Sequence, residues 1–130
     1  MALNVMVVDD SAVMRARIIR AFHLGGPPIR EIHQAGNGQE ALEVLARNWI
    51  DLLLVDINMP VVDGIELIAR VRKMPEITDL PAIVVSTESS SRISMLQKEG
   101  ARFVHKPFSA EILRATVVEM TGGCAAVSGQ

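Results

Sequence analysis

The sequence predicts one α/β domain, a three-layer α/β/α sandwich around a five-stranded parallel sheet. Short apolar runs alternate five times with longer amphipathic segments along the chain. The strongest runs are apolar at successive positions, as strands are when helices cover both faces of a parallel sheet. The length of 130 residues fits one domain, since domains usually have roughly 100–200 residues. Right-handed crossover helices would connect the strands.

Five short segments are the predicted strands. Three of them are apolar at every position and rich in Val, Ile and Leu, which indicates burial on both faces. The other two are more polar, as edge strands are. The apolar strands are residues 5–8, 52–55 and 82–85, and the polar ones are 30–35 and 103–105.

Five amphipathic segments are the predicted helices. The first begins after Ser11 as N-cap and has an apolar stripe that includes Met14, Ile18 and Phe22. The run Gly-Gly-Pro-Pro at 25–28 ends it. The others are predicted at about 39–48, 64–73 and 90–99, the last of these being the weakest, and after Ser109 as N-cap.

Two apolar side chains around the second helix are expected to face inward. Ala46 falls with Ala41, Leu42 and Leu45 on the predicted buried face of that helix. Trp49 lies in the loop before the third strand and is expected to plug part of the core there.

The composition excludes several classes of protein. Hydrophobic residues make up 49% and charged residues 22% of the chain, which excludes a disordered protein. The single cysteine, Cys124, excludes a disulfide framework. A net charge of −2 without a basic run argues against direct nucleic-acid binding. No apolar run approaches the ~20 residues of a membrane span, and residues 1–5 do not have the basic start and long apolar run expected of a signal peptide. We therefore expect a soluble, cytoplasmic domain without membrane insertion.

Polar side chains follow four of the five predicted strands. In an open parallel sheet, ligands bind beyond the carboxyl ends of the strands. Each of these residues alone has an ordinary explanation as a turn or cap residue, but together they predict a site at one edge of the sheet. They are Asp9 and Asp10 after the first strand, Asp56 at the end of the third, Ser86 and Thr87 after the fourth, and Lys106 after the fifth.

The charges of this set predict a divalent cation. Three carboxylates and one ammonium leave two negative charges, which a divalent ion would balance. The ligands are oxygens, which favours Mg²⁺, Ca²⁺ or Mn²⁺ over zinc. A carboxylate beside a metal, a lysine and a hydroxyl can attack phosphorus and form an aspartyl phosphate.

The motifs at these strand ends resemble the receiver domains of bacterial two-component response regulators. The resemblance covers about residues 3–120 and is strongest to chemotaxis-type single-domain receivers. It implies a flavodoxin-like fold with strand order 2-1-3-4-5, a receiver domain over 1–120, and a flexible tail or linker over 121–130. The motifs are VVDDS at 7–11, VDINMPVVDG at 55–64, VSTE at 85–88 and KPF at 106–108.

The resemblance also implies the chemistry at the site. Asp56 would accept a phosphoryl group from a sensor histidine kinase. Mg²⁺ or Mn²⁺ would be held by Asp10, by Asp56 and by the backbone carbonyl of Asn58, with Asp9 assisting through water. Lys106 would contact a phosphoryl oxygen, and Pro107 would follow it with a cis bond.

The remaining implied roles concern the response to phosphorylation. Ser86 would be the switch hydroxyl, and Phe103 the aromatic residue that changes rotamer. Thr87 and Glu88 would tune the reaction. The domain would not be an enzyme with a separate substrate, since it would assist only its own phosphorylation and dephosphorylation. It would act on a downstream protein through the face formed by the fourth helix, fifth strand and fifth helix, or through an output domain that these residues do not include.

Two alternatives remain open at the level of sequence. Thr87 stands where receivers usually have a small residue, and the stretch from Ser86 to Lys106 is shorter than usual. Both departures allow a receiver-like docking or dimerisation module that is never phosphorylated, although the intact acidic trio and Lys106 argue against it. An aspartate-nucleophile phosphatase is disfavoured, because its first strand would carry a second Asp two residues after the nucleophile, where this chain has Ser11 after Asp9.

The resemblance predicts a short-lived phosphoryl state, because Asn58 and Glu88 occupy the two positions that tune hydrolysis in the family. Replacing both residues by Ala should change the lifetime several-fold. The decay of the phosphorylated mass after removal of the phosphodonor measures this lifetime, and an unchanged decay would contradict the prediction.

Overall fold

Five parallel strands form one sheet in the order β2-β1-β3-β4-β5. The structure is a computed structural model that describes residues 3–24, 28–56, 64–86, 101–105 and 110–120. The fold class, the strand order and the edge positions of the two polar strands are confirmed. The strands are β1 (Leu3–Val8), β2 (Ile29–Ala35), β3 (Leu52–Asp56), β4 (Ala82–Ser86) and β5 (Arg102–His105).

Four helices connect or follow these strands within the described residues. Where the sequence predicts a bound, the observed one agrees with it or differs by one residue. The predicted helix at 90–99 and the tail at 121–130 lie outside the described residues, so the domain boundary at 120 stays a prediction. The helices are α1 (Ala12–His23), α2 (Gly38–Arg47), α3 (Gly64–Arg72) and a last helix (Ala110–Met120).

The central strands are apolar at successive positions because both faces of the sheet are covered. Val5 and Leu54 belong to a core cluster with Phe22 of α1 and Val117 of the last helix. On the opposite face, α2 and α3 cover a second cluster, and strand residues alternate between the two clusters along the chain. The second cluster includes Met6, Val8, Leu53, Val55, Ala41, Leu67 and Ile68.

Side-chain caps fix where the first two helices begin. The Ser11 hydroxyl accepts a hydrogen bond from the Met14 backbone N–H at 3.2 Å, which confirms the predicted N-cap. The Asn37 carbonyl oxygen accepts from the Glu40 N–H at 2.9 Å. The Glu40 carboxylate accepts in turn from the Gly36 N–H at 2.8 Å. Together they form a variant of the capping box, which the Asn-x-x-Glu spacing could have revealed.

The prediction that Ala46 faces inward is wrong, because Ala46 is exposed. Ala41 is fully buried and marks the centre of the inward face of α2. At about 100° per residue, Ala46 lies about 140° around the helix from Ala41. Val44 and Leu45 lie closer to that centre, and both pack against the core.

The prediction that Trp49 plugs the core is also wrong, since 65% of its surface is exposed. Ile50, the next residue, takes the buried place and is 3% exposed. The indole N–H of Trp49 donates to Asp51 Oδ1 at 2.8 Å, so its polar group is satisfied at the surface.

Among the residues described, no helix combines the length and the apolar character that crossing a membrane requires.

The core contacts of α3 predict the effect of a conservative truncation. Ile68 is fully buried between α3 and the sheet. We expect Ile68→Val to lower the free energy of unfolding by about 1 kcal/mol, because one methyl group leaves a packed interior. Ile112→Val on the last helix is the matched control, since Ile112 is 55% exposed, and should cost less than about 0.5 kcal/mol. Urea unfolding of both variants measures their free energies of unfolding. Equal losses of stability would contradict the burial of Ile68 in the core.

Candidate functional site

The pairing of β1 with β3 brings three aspartates to one edge of the sheet. Val8 of β1 is in register with Val55 of β3. Asp9 and Asp56 each come one residue after this pair, so they lie side by side at the carboxyl ends of neighbouring strands. Asp10 follows directly. One carboxylate oxygen from each of the three residues lies within 4.8 Å of the other two.

The three carboxylates differ in their exposure to solvent. Asp9 is 1% and Asp56 9% exposed, whereas Asp10 is exposed. Carboxylates that are buried close together lose hydration and repel one another, and a cation among them offsets both effects. Asp10 is therefore the member of the cluster that solvent reaches most readily.

Hydrogen bonds fix the loop that carries Asp9. Its carboxylate Oδ1 accepts from the Ser11 N–H at 2.9 Å, and its own N–H donates to the Ala35 carbonyl at 3.1 Å. Arg15 Nη1 donates to the Asp9 carbonyl at 2.5 Å, and Arg15 Nε donates to Gln34 Oε1 at 2.9 Å. The loop is therefore bound to β2 as well as to α1.

Sequence reasoning missed Arg15 because it lies on the polar side of α1. An arginine one turn after the N-cap, beside a predicted acidic site, is a signal that could have directed attention to it. Its guanidinium reaches back to the loop that precedes its own helix, which the apolar stripe of α1 does not reveal.

The donor set fits a hard divalent cation. All three residues offer carboxylate oxygens, the ligand type that Mg²⁺, Mn²⁺ and Ca²⁺ bind in proteins. Their oxygens are close enough to surround one ion that keeps part of its water. Zinc sites are built mostly from thiolate and imidazole ligands, and this cluster contains neither.

The other predicted site residues are only partly described. Ser86 ends β4, and its neighbour Val85 is in register with Asp56, so the Ser86 backbone lies at the same edge of the sheet. Phe103 lies in β5, in register with Val84. Asn58, Thr87, Glu88, Lys106 and Pro107 lie outside the described residues.

The comparisons with known proteins identify one family. The family model "Response regulator receiver domain" matches residues 5–118. A chemotaxis protein CheY homolog of Campylobacter jejuni is 34% identical over 125 residues, covering 92% of this chain and 93% of the relative. A protein-glutamate methylesterase/protein-glutamine glutaminase of Azospirillum brasilense is 37% identical over 110 residues, which are 82% of this chain and 27% of that protein.

Solved structures agree with the sequence comparison. The chemotaxis protein CheY4 of Vibrio cholerae has a TM-score of 0.82 and 29% identity, covering 92% of this chain and 99% of that one. The match of the family model spans nearly all of the sheet and helices described above. The chain therefore belongs to the response regulator receiver domain family of two-component signalling systems.

Proposed function

We propose that this domain is a phosphorylation-dependent switch in which Asp56 accepts a phosphoryl group from a sensor histidine kinase. The observation that carries the proposal is the placement of the Asp56 carboxylate, at the end of a central strand and close to Asp9 and Asp10. Membership in the receiver family supports a signalling role rather than turnover of a separate substrate.

The reaction is a nucleophilic substitution at phosphorus. An Asp56 carboxylate oxygen attacks the phosphorus atom and forms a new O–P bond. The bond between phosphorus and the donor breaks at the same centre, and the leaving nitrogen or oxygen of the donor keeps the electron pair. Because β3 pairs on both sides with β1 and β4, the nucleophile is held in a fixed position for in-line attack.

Asp10 and Asp56, with the backbone carbonyl of Asn58 and with Asp9 through water, would hold Mg²⁺ or Mn²⁺. When bound, the ion neutralises the charge of the carboxylates and of the phosphoryl oxygens. The hydrogen bonds from Ser11 and Arg15 keep Asp9 in place for this task.

We assign the remaining roles from the family. Lys106 would contact one phosphoryl oxygen, and the Ser86 hydroxyl would contact another, with Thr87 and Glu88 affecting access and hydrolysis. Phosphorylation would shift a pre-existing equilibrium of conformations that includes Phe103. The phosphorylated state would bind a target protein in the cytoplasm through the face that includes β5 and the last helix.

Incubation with acetyl phosphate and Mg²⁺ should add one phosphoryl group to the wild-type protein and none to Asp56→Asn. The reason is that the amide lacks the nucleophilic oxygen. Intact mass, sampled early enough to precede hydrolysis, measures the gain.

Asp79→Asn is the matched control for this experiment. Asp79 is exposed and lies in the loop before β4, at the other end of the sheet from Asp56. This variant should be phosphorylated like the wild type. A wild-type chain that gains no mass would favour the alternative of an unphosphorylated docking module.

Removing the exposed carboxylate should weaken metal binding. We expect Asp10→Asn to raise the Kd for Mg²⁺ at least tenfold, about 1.4 kcal/mol, because one anionic ligand close to a doubly charged ion is lost. Calorimetric titration with Mg²⁺ measures the change, with Asp79→Asn again as control. An unchanged Kd for Asp10→Asn would show that Asp10 is not a ligand of the metal ion.

A further inference from the structure

A groove crosses the end of the sheet opposite to the aspartate cluster. Trp49 precedes β3 and Pro81 precedes β4, and the amino ends of parallel strands share one edge of the sheet. The groove has a volume of about 260 Å³. This is less than the ~300–1,000 Å³ of sites for drug-sized ligands, so it has room for one long side chain. Its lining is Trp49, Ile50, Asp51, Pro75, Glu76, Ile77, Thr78, Asp79, Leu80 and Pro81.

Trp49 lines the groove and is both exposed and held in place by hydrogen bonds. The Trp49 indole N–H donates to Asp51 Oδ1 at 2.8 Å. Asp51 Oδ2 accepts from the Asn4 N–H at 2.8 Å, and the Asp51 N–H donates to the Asn4 carbonyl at 2.7 Å. The indole is thus tied to β1 through Asp51. An aromatic side chain that is already ordered loses little entropy when a partner covers it.

The loop at 75–81, which supplies most of the other lining residues, is also fixed by hydrogen bonds. Arg72 Nη1 donates to the Leu80 carbonyl at 2.6 Å and to the Thr78 carbonyl at 3.2 Å. The Thr78 hydroxyl donates back to the Arg72 carbonyl at 2.7 Å. The Pro81 carbonyl accepts from the Leu53 N–H at 2.9 Å, which joins the end of this loop to β3. The groove is therefore preformed.

The charge of the lining defines what the groove can bind. Within the described part of the chain, three of the lining residues are acidic and none is basic, and the Arg72 guanidinium beside the groove is bound to the carbonyls of Thr78 and Leu80. Asp51 has both oxygens engaged by hydrogen bonds, whereas Glu76 and Asp79 are exposed acids of the loop at 75–81. A cation placed over the indole face would gain from the ring quadrupole and from these carboxylates together.

A second depression adjoins the groove and shares Trp49, Glu76 and Ile77 with it. The rest of its lining is mainly apolar, with Leu42, Leu45, Met74 and the exposed Ala46, and also includes Arg47 and Asn48. This surface suits an apolar residue next to the cationic one in the same ligand.

We propose that the Trp49 groove binds a partner protein through a peptide segment that carries an arginine or lysine flanked by apolar residues. The cationic side chain stacks on the indole of Trp49 and faces Glu76 and Asp79, and the apolar neighbour covers the depression beside α2. This surface is separate from the aspartate cluster, and the proposal does not rest on the proposed phosphorylation of Asp56.

Tryptophan fluorescence tests the proposal directly, because the chain has one Trp and no Tyr. The probes are capped pentapeptides, Gly-Leu-Arg-Leu-Gly and Gly-Leu-Glu-Leu-Gly. We expect a saturable change in Trp49 emission with the Arg peptide at millimolar concentrations and none with the Glu peptide. Raising the salt concentration from about 0.1 M to about 1 M, which shortens the Debye length from ~10 Å to ~3 Å, should weaken binding.

Variants on the groove wall separate charge recognition from nonspecific contact. The double variant Glu76→Gln with Asp79→Asn should weaken binding of the Arg peptide roughly threefold to tenfold, as expected for two exposed charge pairs. Glu111→Gln, an exposed acid on the last helix, is the matched control and should bind like the wild type. Asp56→Asn should also bind like the wild type, which keeps this test independent of phosphorylation.

Three outcomes would overturn the proposal. The first is no response of Trp49 to the Arg peptide. The second is binding of the Glu peptide as strong as that of the Arg peptide, or binding of the Arg peptide by the double variant as strong as by the wild type. The third is a change in Trp49 emission with protein concentration alone, accompanied by dimerisation in sedimentation, because the groove would then be occupied by a second copy of the chain.

Discussion

The parallel pairing of β1 with β3 is the constraint on which the rest of the structure depends. Its register sets Val8 opposite Val55, so the residues that follow both strands lie together at one edge. A shift of one residue would turn every side chain of a strand to the other face. The core excludes such a shift, because the two clusters on either face of the sheet take alternate residues from each central strand.

Burial at the carboxyl edge gives the aspartates their chemical character. Asp9 and Asp56 are buried among residues that, in the described part of the chain, are otherwise mostly apolar, and buried charge is expensive unless other groups stabilise it. The fold supplies backbone N–H groups and the guanidinium of Arg15 to hold the loop of Asp9 in place. These hydrogen bonds fix the backbone around Asp9, whose carboxylate lies close to those of Asp10 and Asp56.

The two ends of the sheet have different surfaces because different loops form them. Loops after the carboxyl ends carry the acidic cluster, while the loops before β3 and β4 carry an exposed aromatic residue with acidic neighbours. The first surface is fixed by hydrogen bonds to β2 and α1, and the second by hydrogen bonds to β1, β3 and α3. Because the two surfaces lie at opposite ends of the sheet, the proposed phosphorylation of Asp56 and the proposed peptide binding would not compete for space.

The sequence by itself determined the layer architecture, the strand and helix positions, and the set of aspartates at the carboxyl edge. These features follow from short-range rules. Apolar residues at successive positions need cover on both faces, Ser11 caps a helix from one residue before it, and Asp56 lies directly after a run that must be buried. The motifs around Asp9, Asp10 and Asp56 then led to the receiver family, which the comparisons confirm.

Only the tertiary structure decided the features that depend on partners distant along the chain. Arg15 reaches Gln34 on β2, and Trp49 is tied through Asp51 to Asn4 on β1. Ala46 is exposed because the way α2 packs on the sheet sets which face of the helix is buried. The apolar pattern of α2 alone does not set that face. Helical and strand periods fix which residues share a face, but contacts between elements fix how that face is oriented and which polar groups it meets.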